Sequence, residues 1–158
     1  MDKRESVLSE TIFYDPDLSW LEEGRFVRIR KKNDNIKLTY KENKEQKIDS
    51  AYEIEFEVSD EDQVKKFLEK MGLVAYRQQE KKRHTLILDE IVFDIDTWPK
   101  VPSYIEIEGP DENSIKKIAE LVGLDWQNAI FEDAKSIIEK HYNIPFGKMR
   151  YFTFDRRE

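Results

Sequence analysis

The stretch RIRKKNDNIKLTYKENKEQKIDSAYEIEFEV, Arg28 to Val58, holds three strand-like segments whose charged residues fall in one parity. Arg28 and Arg30 alternate with Val27 and Ile29, Lys37 and Lys41 with Ile36, Leu38 and Tyr40, and Glu53, Glu55 and Glu57 with Ile54, Phe56 and Val58. Side chains of a strand alternate faces with a period of two, so each segment offers one charged and one apolar face. The spacing therefore predicts a sheet with one ionic face carrying both signs.

A single strand of this kind needs no more than an apolar face on the core and a charged face in water. The pattern, however, continues through Lys81 and Arg83, then Asp94 and Asp96 in VFDIDTW, then Glu106 and Glu108 in YIEIEG. Six such strands predict an α+β chain whose antiparallel sheet curls into a tunnel or barrel, ionic face inside and apolar face outside under helices.

A chain of 158 residues fits one domain with a real core. Residues 1–145 are expected to form it, and residues 146–158 a tail that adds a short strand. The formal net charge of −7 argues against a general nucleic-acid binder, which needs clustered and uncompensated Lys and Arg. There is no cysteine, hence no thiolate ligand or nucleophile. MDKRESVLSE has no apolar leader segment, and no run approaches membrane-spanning length, so the expected location is the cytoplasm.

Outward from the central stretch, VLSETIFY (residues 7–14) reads as a strand before the turn-rich DPDLSWLEEG, and KKNDN as a hairpin turn. KENKEQKIDSA is expected to be a polar loop. A helix Ser59–Met71 follows, with Ser59 as its predicted cap and Gly72 past its end. The same unit recurs: IEFEVSDEDQVKKFLEKMGL (Ile54–Leu73) aligns without a gap on IEIEGPDENSIKKIAELVGL (Ile105–Leu124), which indicates an internal duplication and a second helix Asp111–Val122. Between the copies, Tyr76–Leu88 and Ile91–Ile95 form a hairpin turning at Asp89-Glu90. A third helix is predicted over Trp126–Tyr142, ending before Pro145.

The charged faces contain no Ser/His/Asp arrangement and no Gly-rich phosphate loop, and His84 and His141 read as structural or solvated. What remains is a lining of cations (Arg28, Arg30, Lys41, Lys81, Arg83) and carboxylates (Glu55, Glu57, Asp94, Asp96, Glu106, Glu108). Dry and unpaired, such charges would each cost several kcal/mol, so the lining must hold water, ions or a charged ligand. Carboxylates suit Mg²⁺ or Mn²⁺ and the cations suit phosphate oxygens, a combination fit for a metal–polyphosphate complex. The alternative is an ionic sheet face in plain solvent with cross-strand pairs.

In the order FVRIR, LTYKE, EIEFEV, KKR, FDIDTWP and YIEIEG, the sequence resembles the CYTH superfamily, the triphosphate tunnel metalloenzymes that include class IV adenylate cyclases and thiamine triphosphatases. The resemblance implies that Arg28, Arg30, Lys41, Lys81 and Arg83 bind substrate phosphates. It implies a metal set of Glu106, Glu108, Asp94 and Glu55, and catalytic roles for Asp94, Lys41 and Arg83, with Asp96 as a second choice beside Asp94. The expected ligands are Mg²⁺ or Mn²⁺ and a nucleoside triphosphate or another triphosphate or polyphosphate, with no nucleic acid and no membrane. The family opens with an E-x-E-x-K strand that has no counterpart before Val7. The expected sheet therefore has an open edge, to be filled by the tail strand Lys148–Phe154 or by exchange in a homodimer.

Two functions of different class follow. One is a divalent-metal-dependent enzyme acting on a triphosphate group, as a cyclase or as a triphosphatase. The other is a non-catalytic polyphosphate- or nucleotide-binding module, and beyond it a domain that serves only oligomeric assembly.

Overall fold

The computed structural model describes residues 2–43 and 51–158; the expected polar loop lies mostly in residues 44–50, outside the described residues. Eight strands form one sheet: β1 (Asp2–Tyr14), β2 (Arg25–Lys32), β3 (Asn35–Asn43), β4 (Ala51–Val58), β5 (Val74–Leu88), β6 (Ile91–Thr97), β7 (Tyr104–Glu108) and β8 (Tyr151–Phe152). The order is β4-β3-β2-β1-β5-β6-β7, antiparallel throughout, with β8 added in parallel to β5. Two three-stranded meanders, β2-β3-β4 and β5-β6-β7, thus flank β1. Each runs on into a helix, α2 (Glu61–Lys70) and α3 (Glu112–Leu121), while the short α1 (Ser19–Glu22) bridges β1 and β2.

Both meanders turn their first hairpin in two residues, Lys32 opposing Asn35 and Leu88 opposing Ile91. The first turn residues, Asn33 (φ 54°) and Asp89 (φ 52°), lie in the left-handed region, which short polar side chains tolerate. β1 starts five residues before the expected Val7. Charged residues hid that extension, but β5 is long enough to offer ladder partners as far as Asp2↔Leu86.

One face of the sheet packs Phe13, Val27 and Ile29 against Leu68 of α2. At the edges the apolar face is less covered than the pattern predicts: Ile54 and Phe56 on β4 are 46% and 53% exposed, and Ile105 on β7 is 46% exposed. A second cluster joins Trp98, Val101, Ile138, Phe146 and Phe152, where the helix α4 (Ala134–Tyr142) and the tail meet the sheet. It touches the charged face, with Lys81 Nζ 5.2 Å from the Trp98 ring and the Arg77 guanidinium 4.3 Å from Phe146. The tail therefore attaches beside β5 and leaves β4 and β7 each with one ladder neighbour among the described residues.

Two expected helix limits are corrected. The cap of α2 is Asp60 rather than Ser59, its carboxylate accepting from Gln63 N; Asp111 caps α3 in the same way through Ser114 N. The predicted helix Trp126–Tyr142 is two pieces, because two aspartates each start one: Asp125 caps a single 3₁₀ turn, Trp126–Asn128, and Asp133 caps α4. Between them the chain is extended at Ala129, which leaves Ile130 and Phe131 exposed. Among the described residues, no helix is long and apolar enough to cross a membrane.

Candidate functional site

Alternation along β1, β2, β5 and β6 puts Glu10, Arg28, Arg30, Gln79, Lys81, Arg83, Asp94 and Asp96 on one face. Register then decides which meet. Arg30 lies opposite Glu10 and donates from Nε at 2.5 Å; Arg28 NH1 is 3.8 Å from the same carboxylate and Gln79 donates to its other oxygen. Burial alone would raise the Glu10 pKa, but Arg30, Arg28 and Lys81 together bring it down to about 2. Burial lowers the pKa of Arg28, whose Nε has no hydrogen-bond partner among the described residues.

On the other side of β1, Asp96 is fully buried and joins two cations. Lys81 Nζ donates to it at 2.6 Å, and Arg83 grips it twice, through Nε at 2.6 Å and NH2 at 2.7 Å. Arg83 also reaches Asp94 through NH1 at 2.5 Å and Glu106 through NH2 at 2.8 Å. Its own burial opposes the charge, yet Asp96, Glu106 and Asp94 outweigh that and raise its pKa further. Asp94 accepts a further bond from Thr85 Oγ1 at 2.5 Å.

Asp94, Glu106 and Glu108 each place a carboxylate oxygen within 4.8 Å of the others. Asp94 is buried, while solvent reaches both glutamates. Desolvation, then the adjacent Glu106, push the Glu108 pKa above its ordinary value, Arg83 only partly offsetting them. Three hard oxygen donors around a point short of positive charge fit a divalent cation such as Mg²⁺ or Mn²⁺.

Glu55 lies elsewhere, on β4 at the opposite end of the strand order. It accepts from Lys37 Nζ at 2.5 Å and Thr39 Oγ1 at 2.9 Å, and is 3.7 Å from Arg28. Its desolvation is outweighed by these donors, so its pKa is lowered. Lys41, at the far end of β3, stands 3.7 Å from Glu53.

A cavity of about 190 Å³ opens between the two halves of the ionic face, lined among others by Arg30, Lys32, Lys37, Arg83 and Asp94. Lys32 and Lys37 were outside the residue set expected to bind phosphate, although Lys37 carries the same parity signal as Lys41. Glu10 was outside it too; its signal was one carboxylate in the otherwise uncharged VLSETIFY. Arg28, Lys41 and Lys81 do not line this cavity.

The CYTH domain profile matches residues 2–142. Among solved structures, a Pyrococcus horikoshii OT3 protein superposes with a TM-score of 0.68 at 20% identity, over 84% of this chain and 82% of that one. A candidate adenylate cyclase from Vibrio parahaemolyticus gives 0.68 at 14% identity over 85% and 81%. A candidate adenylyl cyclase from Hippeastrum, with a dominant triphosphatase activity, gives 0.63 at 13% over 89% and 84%. At these identities the likeness shows the fold. A comparison with curated proteins by sequence found no match.

Proposed function

Because this chain belongs to the CYTH domain family, we propose that it is a divalent-metal-dependent enzyme acting on a triphosphate group. The observation that carries the reading is the Asp94/Glu106/Glu108 group next to a cavity whose other wall is Arg30, Lys32 and Lys37. Mg²⁺ or Mn²⁺ held by those carboxylates would neutralise phosphate charge and act as a Lewis acid. Arg30 and Arg83 would take phosphate oxygens inside the cavity, with Arg28, Lys41 and Lys81 holding the rest of the chain of phosphates. Asp94, fixed by Thr85 and Arg83, would orient the attacking oxygen. Phosphoryl transfer asks for little beyond such positioning and charge neutralisation. Glu55, bonded to Lys37 and Thr39, would order the opposite wall.

A hydrolytic reaction, water attacking the terminal phosphorus, is the version the cavity favours, since among the described residues no aromatic side chain lines it to stack on a base. Attack of a ribose hydroxyl on the α-phosphorus is the other version. The test is a steady-state assay with tripolyphosphate and with ATP, with Mg²⁺ or Mn²⁺, beside Glu106→Gln and Arg30→Ala. Orthophosphate released only with metal, and lost in both variants, supports hydrolysis; cyclic AMP with pyrophosphate indicates cyclisation. A binding module is the second reading, motivated by floor cations that already have carboxylate partners. It predicts no turnover while tripolyphosphate still raises the Tm of the wild type and not of Arg30→Ala.

A further inference from the structure

Among the described cations of the ionic face, Arg83 has the most carboxylates. Its Nε and NH2 are spent on Asp96, and only NH1 and the remaining reach of NH2 extend to Asp94 at 2.5 Å and Glu106 at 2.8 Å. Those last two carboxylates are the ones that group with Glu108. Arg83 thus sits where positive charge is needed by three carboxylates and supplies a single unit of it. Lys81 is paired with Asp96, and Arg30 is held by Glu10. Lys41 is the other cation that acts on this group, lowering the Glu108 pKa less than Arg83 does.

We infer that Arg83 is the resident counter-ion of the Asp94/Glu106/Glu108 group: it yields Asp94 and Glu106 to a divalent cation, and the arm it frees then takes an oligophosphate oxygen. The inference rests on the metal assignment proposed above and adds to it an order and a coupling. Three observations support it. Asp96 is fully buried and holds Arg83 through two bonds, with Lys81 on the same carboxylate. Losing Asp94 and Glu106 therefore leaves the guanidinium in place. Among the described residues NH1 makes its ion pair with Asp94, so it is the arm left without a partner. Finally, Arg83 and Asp94 line the same cavity as Arg30 and Lys37, so the freed arm faces a space already walled by cations. Without the divalent cation, an entering phosphate meets an Arg83 already engaged and three carboxylates that repel it. Cation and phosphate consequently strengthen each other's binding, and linkage makes the gain equal in both directions.

The test needs no turnover. Mn²⁺ binding to the full chain is measured by calorimetry and by the loss of the free-ion paramagnetic resonance signal, without phosphate, at a pH where the carboxylates are ionised. Losing its competitor, Arg83→Gln is expected to bind Mn²⁺ about five- to tenfold tighter than the wild type. Arg83→Lys, which keeps the charge but not the fork, is expected to fall between them and covers the case in which the glutamine variant does not fold. Equal or weaker binding in whichever variant folds overturns the inference and leaves the proposed function standing, because Arg83 is then a prop for the carboxylates. Absence of Mn²⁺ binding in the wild type overturns both.

Discussion

The duplicated units Ile54–Leu73 and Ile105–Leu124 end the two meanders with the same residue at ten of twenty positions, and yet their glutamates meet opposite company. In the alignment Glu55 corresponds to Glu106 and Glu57 to Glu108. On β4 the neighbouring strand β3 opposes them with Thr39 and Lys37, and Lys41 opposes Glu53. On β7 the neighbouring strand β6 opposes Glu106 with Asp94 and Glu108 with Val92. In the first pair Glu55 accepts from Lys37 and Thr39, which hold its pKa down, and Glu57 accepts from Asn35. The other pair is left crowded, with the Glu108 pKa pushed up. The motif is the same; its chemistry is assigned by the adjacent strand.

That contrast between the edges can hold only if the centre of the sheet keeps its own charges closed. Glu10→Gln is therefore expected to have the largest effect on stability, roughly 3 kcal/mol by urea unfolding, because the half-buried Arg30 loses its carboxylate and the half-buried Arg28 keeps only Glu55 at 3.7 Å. With a folded pKa of about 2 against 4.5, this stabilisation is fully present above pH 4.5 and is lost as pH falls from there to 2. A variant with unchanged stability and unchanged acid sensitivity would mean that the central ion pairs contribute nothing.

Next in size, Asp94→Asn removes from β6 the charge that makes it unlike β3. Mn²⁺ affinity should drop by more than about a hundredfold in calorimetry. Retained affinity would place any metal away from the β6–β7 side. The smallest effect is expected for Glu108→Gln. Its carboxyl has a folded pKa above 4.5, so the charged form costs stability once the pH exceeds the unfolded value. The variant should melt slightly higher than the wild type at pH 7 and show no gain below pH 4. A lower Tm at pH 7 would deny that Glu108 is electrostatically strained.

Much of this was legible from the chain. The parity of charges marked the ionic face, Asn33 and Asp89 sit where the hairpins turn, and the repeated E-x-E units gave both edge strands and the helices behind them. Pairing was less legible, because it depends on cross-strand register: nothing local says that Lys37 rather than Lys41 faces the cavity, or that Asp96 binds two cations while Asp94 joins the glutamates. The helix expected from Trp126 to Tyr142 failed for a local reason, since its apolar stripe was clear but Asp125 and Asp133 compete as caps and split it. Glu10 was hidden by its setting, one acid in the otherwise uncharged VLSETIFY, where its role exists only once β2 and β5 close around it.

The most direct test of the claim that the neighbouring strand assigns the chemistry is Mn²⁺ calorimetry on the paired variants Glu55→Gln and Glu106→Gln. The account predicts that Glu106→Gln loses at least about tenfold in affinity while Glu55→Gln stays within about twofold of the wild type. Equal losses in the two variants, or a larger one in Glu55→Gln, would contradict it.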